Sequence, residues 1–568
     1  MIQRTKLSRG RIVITMGCLF GAVLLPVENT HSETIDPSGI GWSASGSQGV
    51  VAAGNAEAVT AGLEILQSGG NAADAAVATI LALGITDYGS FAIGAEVPFM
   101  IYLAKSREVK VLCGVGSAPL DPEATRWYLE HGIPRSGMKA AAVPAAISTC
   151  FAALKLHGTV SFEKAVEPAL RLLARNSQEW HPDLARTFRK LIDRERETTG
   201  TREEKLQAAR DRFYKGDLAD DLEAWYIEQG GFLRKADLAA HETWVEDPVK
   251  APYRGFTVAK CGPWTQGPYL CQALRLLENF DLRRAGHLSP DHTHLALEAL
   301  KLALADRDEY YGDPRFGKVP LDRLLSDEYT RLRVALIDPR KASKDVRPGD
   351  PIGMRALKGP GKLRPAPGGT TTCCVADRWG NVVAATPSGN PPYLMPGKTG
   401  VTHATRLSSL NTTPGHPNCI EPGKRPRITL TPTLVLKEGA PILAISVAGG
   451  DLQDQVTLQL ILDFIDFDLS PEKAVRAPRF STGHHEDSFD PGHDRGAAFG
   501  KHGSLSVERT VANPVLMELK ARGHEVYPIA GPIGAPVMLQ VDSESGRAHA
   551  AGDPDADRHA GSVDQLKR

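Results

Sequence analysis

The chain has 568 residues and is 42% hydrophobic, enough apolar mass for a large core in one big domain or two or three smaller ones, which excludes a disordered chain. Its 66 Lys and Arg nearly balance 67 Asp and Glu, for a net charge of −1. That balance excludes nucleic acid as the main partner, because phosphate recognition needs a basic surface.

At the N-terminus, Arg4, Lys6, Arg9 and Arg11 precede an apolar stretch, Ile12–Leu25, that Pro26 breaks. This is the pattern of an export signal, and the stretch is too short for a comfortable membrane span. Residues 1–32 therefore read as a signal peptide and the protein as exported, to the periplasm or beyond, with an uncleaved anchor as the alternative. No clean Ala-x-Ala site follows, and Cys18 lies inside the apolar stretch, which weakens a lipid-anchor reading. No later stretch is apolar enough to span a bilayer, so no stable membrane partner is expected.

Residues 30–48, rich in Ser and Gly, read as a linker. "NAEAVTAGLEILQSGG" then sets Val59, Leu63 and Leu66 on one helical face and ends at Gly69-Gly70, and Asn71 is positioned to cap a second, Ala-rich helix. "FMIYLA" and "VKVLCG" predict paired strands. Residues 144–245 are mostly helical in pattern, and "HTHLALEALKLALADRDEYY" predicts a long amphipathic helix. Beyond Cys18, seven scattered cysteines form no disulfide framework and read as small buried hydrophobes.

The pattern changes after residue 340. A loop rich in Pro, Gly and Lys leads to Gly368-Gly369-Thr370, and Thr371 and Thr372 then open a run of strands: "TTTCCVAD", "NVVAAT", "TLVLKEG" and "PILAISVAGG". Asp377 to Gly380 predicts a hairpin turn, and Cys373 and Cys374 should face opposite sides of their strand. A helix-rich half followed by a strand-rich half points to α+β layers rather than a doubly wound parallel sheet.

Thr370 raises a chemical question. A threonine hydroxyl is a weak nucleophile unless a base takes its proton, and a free α-amine on the same residue is such a base. That requires a cut just before the threonine, which the hydroxyl itself makes by attacking the preceding carbonyl. Glycine at the scissile position tolerates the backbone this demands. An ordinary loop-to-strand join fits the same stretch. Likewise, "ISVAGGDLQDQ" offers Gly449 and Gly450 either as an oxyanion hole at a helix start or as a tight turn before a helix capped by Asp451.

Ordered motifs from about residue 50 to the C-terminus decide between these readings: "AGLEILQSGGNAADAAVATILALG", "DPVKAPYRGFTV", "EALKLALADRDEYYGDP", "TTTCCVADRWGNVV", "PGKRPRITLTPTLVLKEG", "AGGDLQDQ" and "AAGDP". Together they resemble the γ-glutamyltranspeptidases (glutathione hydrolases) of the N-terminal nucleophile hydrolase superfamily. The resemblance implies a four-layer αββα sandwich and a precursor that cuts itself between Gly369 and Thr370. Segments 33–369 and 370–568 would then form one unit as a heterodimer. It implies Thr370 as nucleophile and base, Ser388 as the hydroxyl that bonds it, Asn390 as a substrate contact, and Gly449 and Gly450 as the oxyanion hole. No cofactor is implied, and the substrate would be a small γ-glutamyl or related acyl amide.

The substrate clamps depart from the family's pattern. Val115 or Gly116 stands where the resemblance calls for a carboxylate-binding arginine, Ser409 where it calls for an amine-binding aspartate, and Ile428 and Thr429 where it calls for two serines. Glu96 interrupts a glycine run, while Arg406 lies near enough to bind a carboxylate from another side. An acylase for a non-glutamyl group, or a non-catalytic periplasmic binding protein on the same fold, are the alternatives. "GHHEDSFDPGHD" matches no zinc spacing and reads as a solvated loop with no metal. Trp264 and Tyr269 either line the cleft or pack inside.

Overall fold

A computed structural model of the chain describes residues 39–356, 369–389, 397–491 and 502–566. The export-signal segment, Asn390, His493 and Asp494 lie outside the described residues.

Two antiparallel seven-stranded sheets form the centre. The first runs in the order His559–Ser562, Gly49–Ala53, Cys373–Asp377, Val382–Ala385, Phe99–Leu103, Glu108–Leu112, Val245–Glu246. The second runs Ser43–Gly46, Ala548–Gly552, Ala535–Val541, Ala440–Ala448, Thr433–Lys437, Phe256–Lys260, Val249–Tyr253. Their inner faces share one core, in which Ala52, Met100, Cys374 and Ala384 meet Leu434, Ala444 and Val537. Helices cover both outer faces. Ala56–Gln67, Ala72–Thr86 and Ala146–His157 pack on the first sheet. Pro268–Leu277, Pro290–Tyr310 and Gln453–Ile465 pack on the second. This is the four-layer αββα arrangement, and it explains why the central strands are apolar on both faces. Cys373 points into the helix-side core and Cys374 into the inter-sheet core, as strand alternation requires.

Local sequence fixes the elements near the strand ends. Asn71 accepts from the backbone of Ala73 (2.9 Å) and Asp74 (3.1 Å), and Asp74 returns the bond to the Asn71 N–H (2.9 Å), a complete capping box. Asp377 closes the predicted hairpin by accepting from the N–H groups of Trp379 and Asn381, each at 2.9 Å. Its other oxygen accepts from the first N–H of the Ala72 helix at 2.9 Å, so one carboxylate ties turn to helix.

Three expectations need correction. Residues 43–46 are not linker but the edge strand of the second sheet, paired with Ala548–Gly552; small residues suit a strand that lies close against its neighbours. The strand after Thr370 starts at Cys373, and Thr371 and Thr372 lead into it with single backbone bonds to Pro387 and Gly54. Finally, the helix Pro290–Tyr310 is not amphipathic: every residue from His292 to Asp308 is buried. The chain from Asp327 to Asp350 covers its outer side, through Arg333 to the Leu302 carbonyl (3.0 Å), Lys301 to the Ser343 carbonyl (2.7 Å) and Tyr310 to the Gly349 carbonyl (2.6 Å). Its charged residues are paired inside rather than solvated, with Arg333 beside Asp306 (3.3 Å) and Arg347 beside Glu298 (2.9 Å).

Candidate active site

The site lies where the central strands of both sheets end. Thr371 N–H donates to the Pro387 carbonyl at 2.8 Å, which carries the pairing of the neighbouring strands one step further and sets Thr370 beside Ser388. The Thr371 hydroxyl donates to the Asp87 carboxylate at the end of the Ala72–Thr86 helix, anchoring the residue that follows Thr370. Burial pushes the Asp87 carboxyl up, and the Thr371 bond opposes this. Across the sandwich, the Thr386 and Ser446 hydroxyls lie 2.9 Å apart and tie the ends of the two central strands together.

Around Thr370 the structure assembles residues from four parts of the chain. The Thr370 hydroxyl donates to Ser388 Oγ at 3.2 Å, and the Ser388 hydroxyl donates to the carbonyl of Gly369. Arg406 Nη2 donates to the same Ser388 oxygen at 3.3 Å. Ser388 and Glu96 face each other across an isolated antiparallel bridge, with two backbone bonds of 3.0 Å, which brings their side chains side by side. Arg406 Nε then lies 3.2 Å from the Glu96 carboxylate, both groups out of contact with solvent. Burial raises the Glu96 carboxyl, and the guanidinium beside it pulls the other way. Among the described residues Arg406 Nη1 has no hydrogen-bond partner, and Nε meets Glu96 as an ion pair without hydrogen-bond geometry.

Gln453 completes the cluster and was not singled out by the sequence reading. One end of its amide lies 3.3 Å from Thr370 Oγ1. The other end faces the carbonyls of Val447 (3.3 Å) and Thr429 (3.0 Å), so the nitrogen sits there as donor and the oxygen faces Thr370. The signal available was its place in "AGGDLQDQ", three residues after the second glycine.

The strand register ends at Ala448, opposite Ala535, and Gly449 and Gly450 follow it. Both have positive φ, +147° and +59°, and a Cβ on Gly450 would lie 2.7 Å from the ring of Phe489. One short turn, Gly450–Leu452, separates them from Gln453. Asp451 does not cap the helix, as the turn reading had it. Instead it accepts from Arg307 (2.5 Å) and from the Ser488 hydroxyl (2.6 Å), and these partners hold its carboxyl well below the usual range. Arg307 also bonds Gln266 (2.8 Å), while Gln266 donates to the Gly450 carbonyl at 3.4 Å. A buried ionic network thus braces the glycine turn.

The segment carrying "GHHEDSFD" is part of that bracing and not a solvated loop: His484, His485, Glu486 and Asp487 are all buried. His484 accepts from the Gly503 N–H (2.9 Å), so one of its nitrogens is committed within the protein. Burial and the neighbouring Asp451 push the Asp487 carboxyl up to about 6. Phe489 packs 5.8 Å from the Arg406 guanidinium. A different group, His294, Glu298 and His524, brings its donor atoms within 4.8 Å of one another. His294 and His524 hydrogen-bond each other at 2.8 Å, however, and Lys301 and Arg347 already neutralise Glu298, so these residues do not suit a cation.

The clamp positions are uncharged in place as well as in sequence. A Cβ on Gly116 would sit 1.8 Å from the Val143 carbonyl, and Val115 is core between the sheets, so no side chain reaches out from there. Ile428 packs in the same core. The hydroxyls of Ser409 and Thr429 are buried without a hydrogen-bond partner among the described residues. Trp264 and Tyr269 are packing residues: both are fully buried, and Trp264 donates to Glu246 at 2.8 Å. All seven cysteines among the described residues are buried and unpaired.

The Gamma-glutamyltranspeptidase family pattern matches residues 58–199 and 178–563. A glutathione hydrolase proenzyme of Escherichia coli K12 is 29% identical, over 98% of each chain. An acylase ACY 1 proenzyme of Pseudomonas sp. SE83 is 31% identical, over 85% of this chain and 88% of the relative. Among solved structures, LmbA2991HD superposes with a TM-score of 0.81 at 32% identity, covering 91% of this chain and 98% of that one. A cephalosporin acylase from Bacillus halodurans superposes with a TM-score of 0.76 at 25% identity, covering 92% and 96%. The chain therefore belongs to the γ-glutamyltranspeptidase family and is an autoprocessing amide hydrolase/transferase with the fold of the N-terminal nucleophile hydrolases.

Proposed function

We propose that the chain cuts itself between Gly369 and Thr370 and that the freed Thr370 is the nucleophile for γ-glutamyl or related acyl amides. The observation that carries this reading is the Ser388 hydroxyl, which bridges the Thr370 hydroxyl and the Gly369 carbonyl, the attacking group and the bond to be attacked. Thr370 Oγ adds to the Gly369 carbonyl carbon, and the C–N bond opens to give an ester and a free Thr370 amine. Water then cleaves the ester, releasing the Gly369 carboxylate and the Thr370 hydroxyl beside that free amine. That amine, with a pKa near neutrality, then takes the proton of its own hydroxyl as Thr370 attacks the substrate amide. The N–H groups of Gly449 and Gly450 stabilise the oxyanion, the amide nitrogen leaves protonated, and water or an amine removes the acyl group.

The two fragments stay together as a heterodimer. Ser409 and Thr429, whose buried hydroxyls lack partners among the described residues, line the acyl-binding side with Arg406, whose Nη1 is likewise unpartnered there, and Asn390 is a further substrate contact. An acylase acting on a non-glutamyl group is the second reading, favoured by the closed Gly116 and the uncharged Ser409. The basic and apolar N-terminal segment supports export, to the periplasm or outside.

Intact mass with N-terminal sequencing of the purified protein tests the first step. A fragment beginning "TTTCCVAD" is expected from the wild type and from Thr370→Ser, and none from Thr370→Ala. A Thr370→Ala chain that is uncut yet fully active would sink the mechanism.

A further inference from the structure

We propose that Arg406, anchored by Glu96, is the positioning residue for self-cleavage: it fixes the Ser388 hydroxyl so that its one proton is aimed at the scissile Gly369 carbonyl. This rests on the reading of Thr370 as the self-cleaving residue.

The argument is an inventory of one hydroxyl. Ser388 Oγ has one proton to give and two lone pairs to receive. Thr370 donates into one lone pair at 3.2 Å and Arg406 Nη2 into the other at 3.3 Å, leaving the proton for the Gly369 oxygen. Without Arg406 the hydroxyl can turn its proton toward Thr370, where it would compete for the oxygen that must attack. A charged donor also favours negative charge on Ser388 Oγ, which develops as the serine passes its proton on and takes the one from Thr370.

The step balances within the cluster. The Thr370 proton moves to Ser388 Oγ, and the Ser388 proton moves to the Gly369 oxygen as the bond from Thr370 Oγ to the Gly369 carbon forms. The product is a neutral five-membered ring. Its C–N bond then breaks, the nitrogen takes the hydroxyl proton, and the ester remains.

Glu96 makes the arginine's position specific. The backbone bridge sets it opposite Ser388, and its carboxylate lies 3.2 Å from Arg406 Nε. Phe489 closes the guanidinium on another side, at 5.8 Å. The pair is buried, so the guanidinium is held for a purpose that solvent does not serve.

The test measures the half-time of self-cleavage in full-length chains made by cell-free translation. Arg406→Met should slow cleavage by about 10- to 100-fold, less than the loss of a donor touching the oxyanion directly. Arg406→Lys, which still carries a donor, should recover part of the rate. The deciding variant is Glu96→Gln with Arg406→Met, which removes the charge that the methionine would leave unpaired. If Arg406 only neutralises Glu96, the double variant cleaves at the wild-type rate and the proposal is overturned. If Arg406 orients Ser388, the double variant folds, as its melting in a Thr370→Ala background will show, and stays slow. Arg406→Met cleaving at full rate also overturns the proposal. Cleavage of Thr370→Ala itself would instead overturn the underlying reading.

Discussion

The amide of Gln453 ends 3.3 Å from the hydroxyl of Thr370, although 83 positions of sequence separate them. Its nitrogen holds the Val447 and Thr429 carbonyls, so the oxygen cannot turn away from Thr370 without leaving those acceptors unmet. Gln453→Ala should slow self-cleavage and lower kcat, each by about tenfold to a hundredfold, with a smaller change in KM, as expected when a reacting group loses its orientation. Single-turnover kinetics on the processed enzyme checks this, and an unchanged kcat would remove Gln453 from the site.

Asp454, on the helix that carries Gln453, forms an ion pair of 2.7 Å with no solvent contact with Lys260, at the end of the strand Phe256–Lys260. Lys260 also donates to Thr433 (2.7 Å) and to the Thr431 carbonyl (2.9 Å). Lys260→Met should destabilise the fold by about 3–5 kcal/mol, because it strands a buried carboxylate. Adding Asp454→Leu should return most of that loss. Urea unfolding of the two variants in the Thr370→Ala background makes the comparison; equal losses would mean that the charge on Asp454 is not the cause.

Asp487 supplies a pH dependence. Its folded pKa of about 6 exceeds an unfolded value of about 3.9, so the folded state binds more protons between these limits. Its stabilising contribution is complete below pH ~4 and is lost as pH rises through ~6. Asp487→Asn keeps the acceptor for the Phe489 N–H, at 2.9 Å, and removes the titration. The variant should gain on the wild type by up to about 2 kcal/mol between pH 4 and 7. Melting curves across that range test it; a gap that does not widen with pH refutes it.

Selectivity follows from the closed clamp positions. A γ-glutamyl anilide should be turned over less efficiently than the anilide of a neutral acyl group of the same length, since each missing buried charged contact costs on the order of 2–5 kcal/mol. The ratio of the two kcat/KM values decides. Efficient γ-glutamyl turnover would assign the substrate's charges to Glu96 and Arg406 instead.

Much of this architecture is legible in the sequence because local rules act alone in places. The Asn71 cap, the Asp377 hairpin and the opposed Cys373 and Cys374 each depend on a few neighbouring residues. The meeting of Thr370 with Ser388 is carried by the family resemblance, because a hairpin must form between residues 18 positions apart before the two hydroxyls touch. What was not legible depends on layers closing over one another. Charged residues along Pro290–Tyr310 read as a solvated face and turned out to be buried partners, and "GHHEDSFD" read as surface but braces the glycine turn through Asp451. Gln453 was invisible because a buried amide on a helix announces its acceptors only in three dimensions.

The order of strands carries a mechanical consequence. In the first sheet, Cys373–Asp377 lies between Gly49–Ala53 and Val382–Ala385, and the next strand is again Phe99–Leu103. In the second, Thr433–Lys437 pairs with Phe256–Lys260. Strands from either side of Thr370 are therefore interleaved like fingers of two hands. A chain cut before Thr370 would lose one covalent link and none of this interlock. Its pieces could part only by tearing both sheets, after which neither holds a complete sheet to return to. The cut protein would be durable through the slowness of its unfolding rather than through any ability to refold.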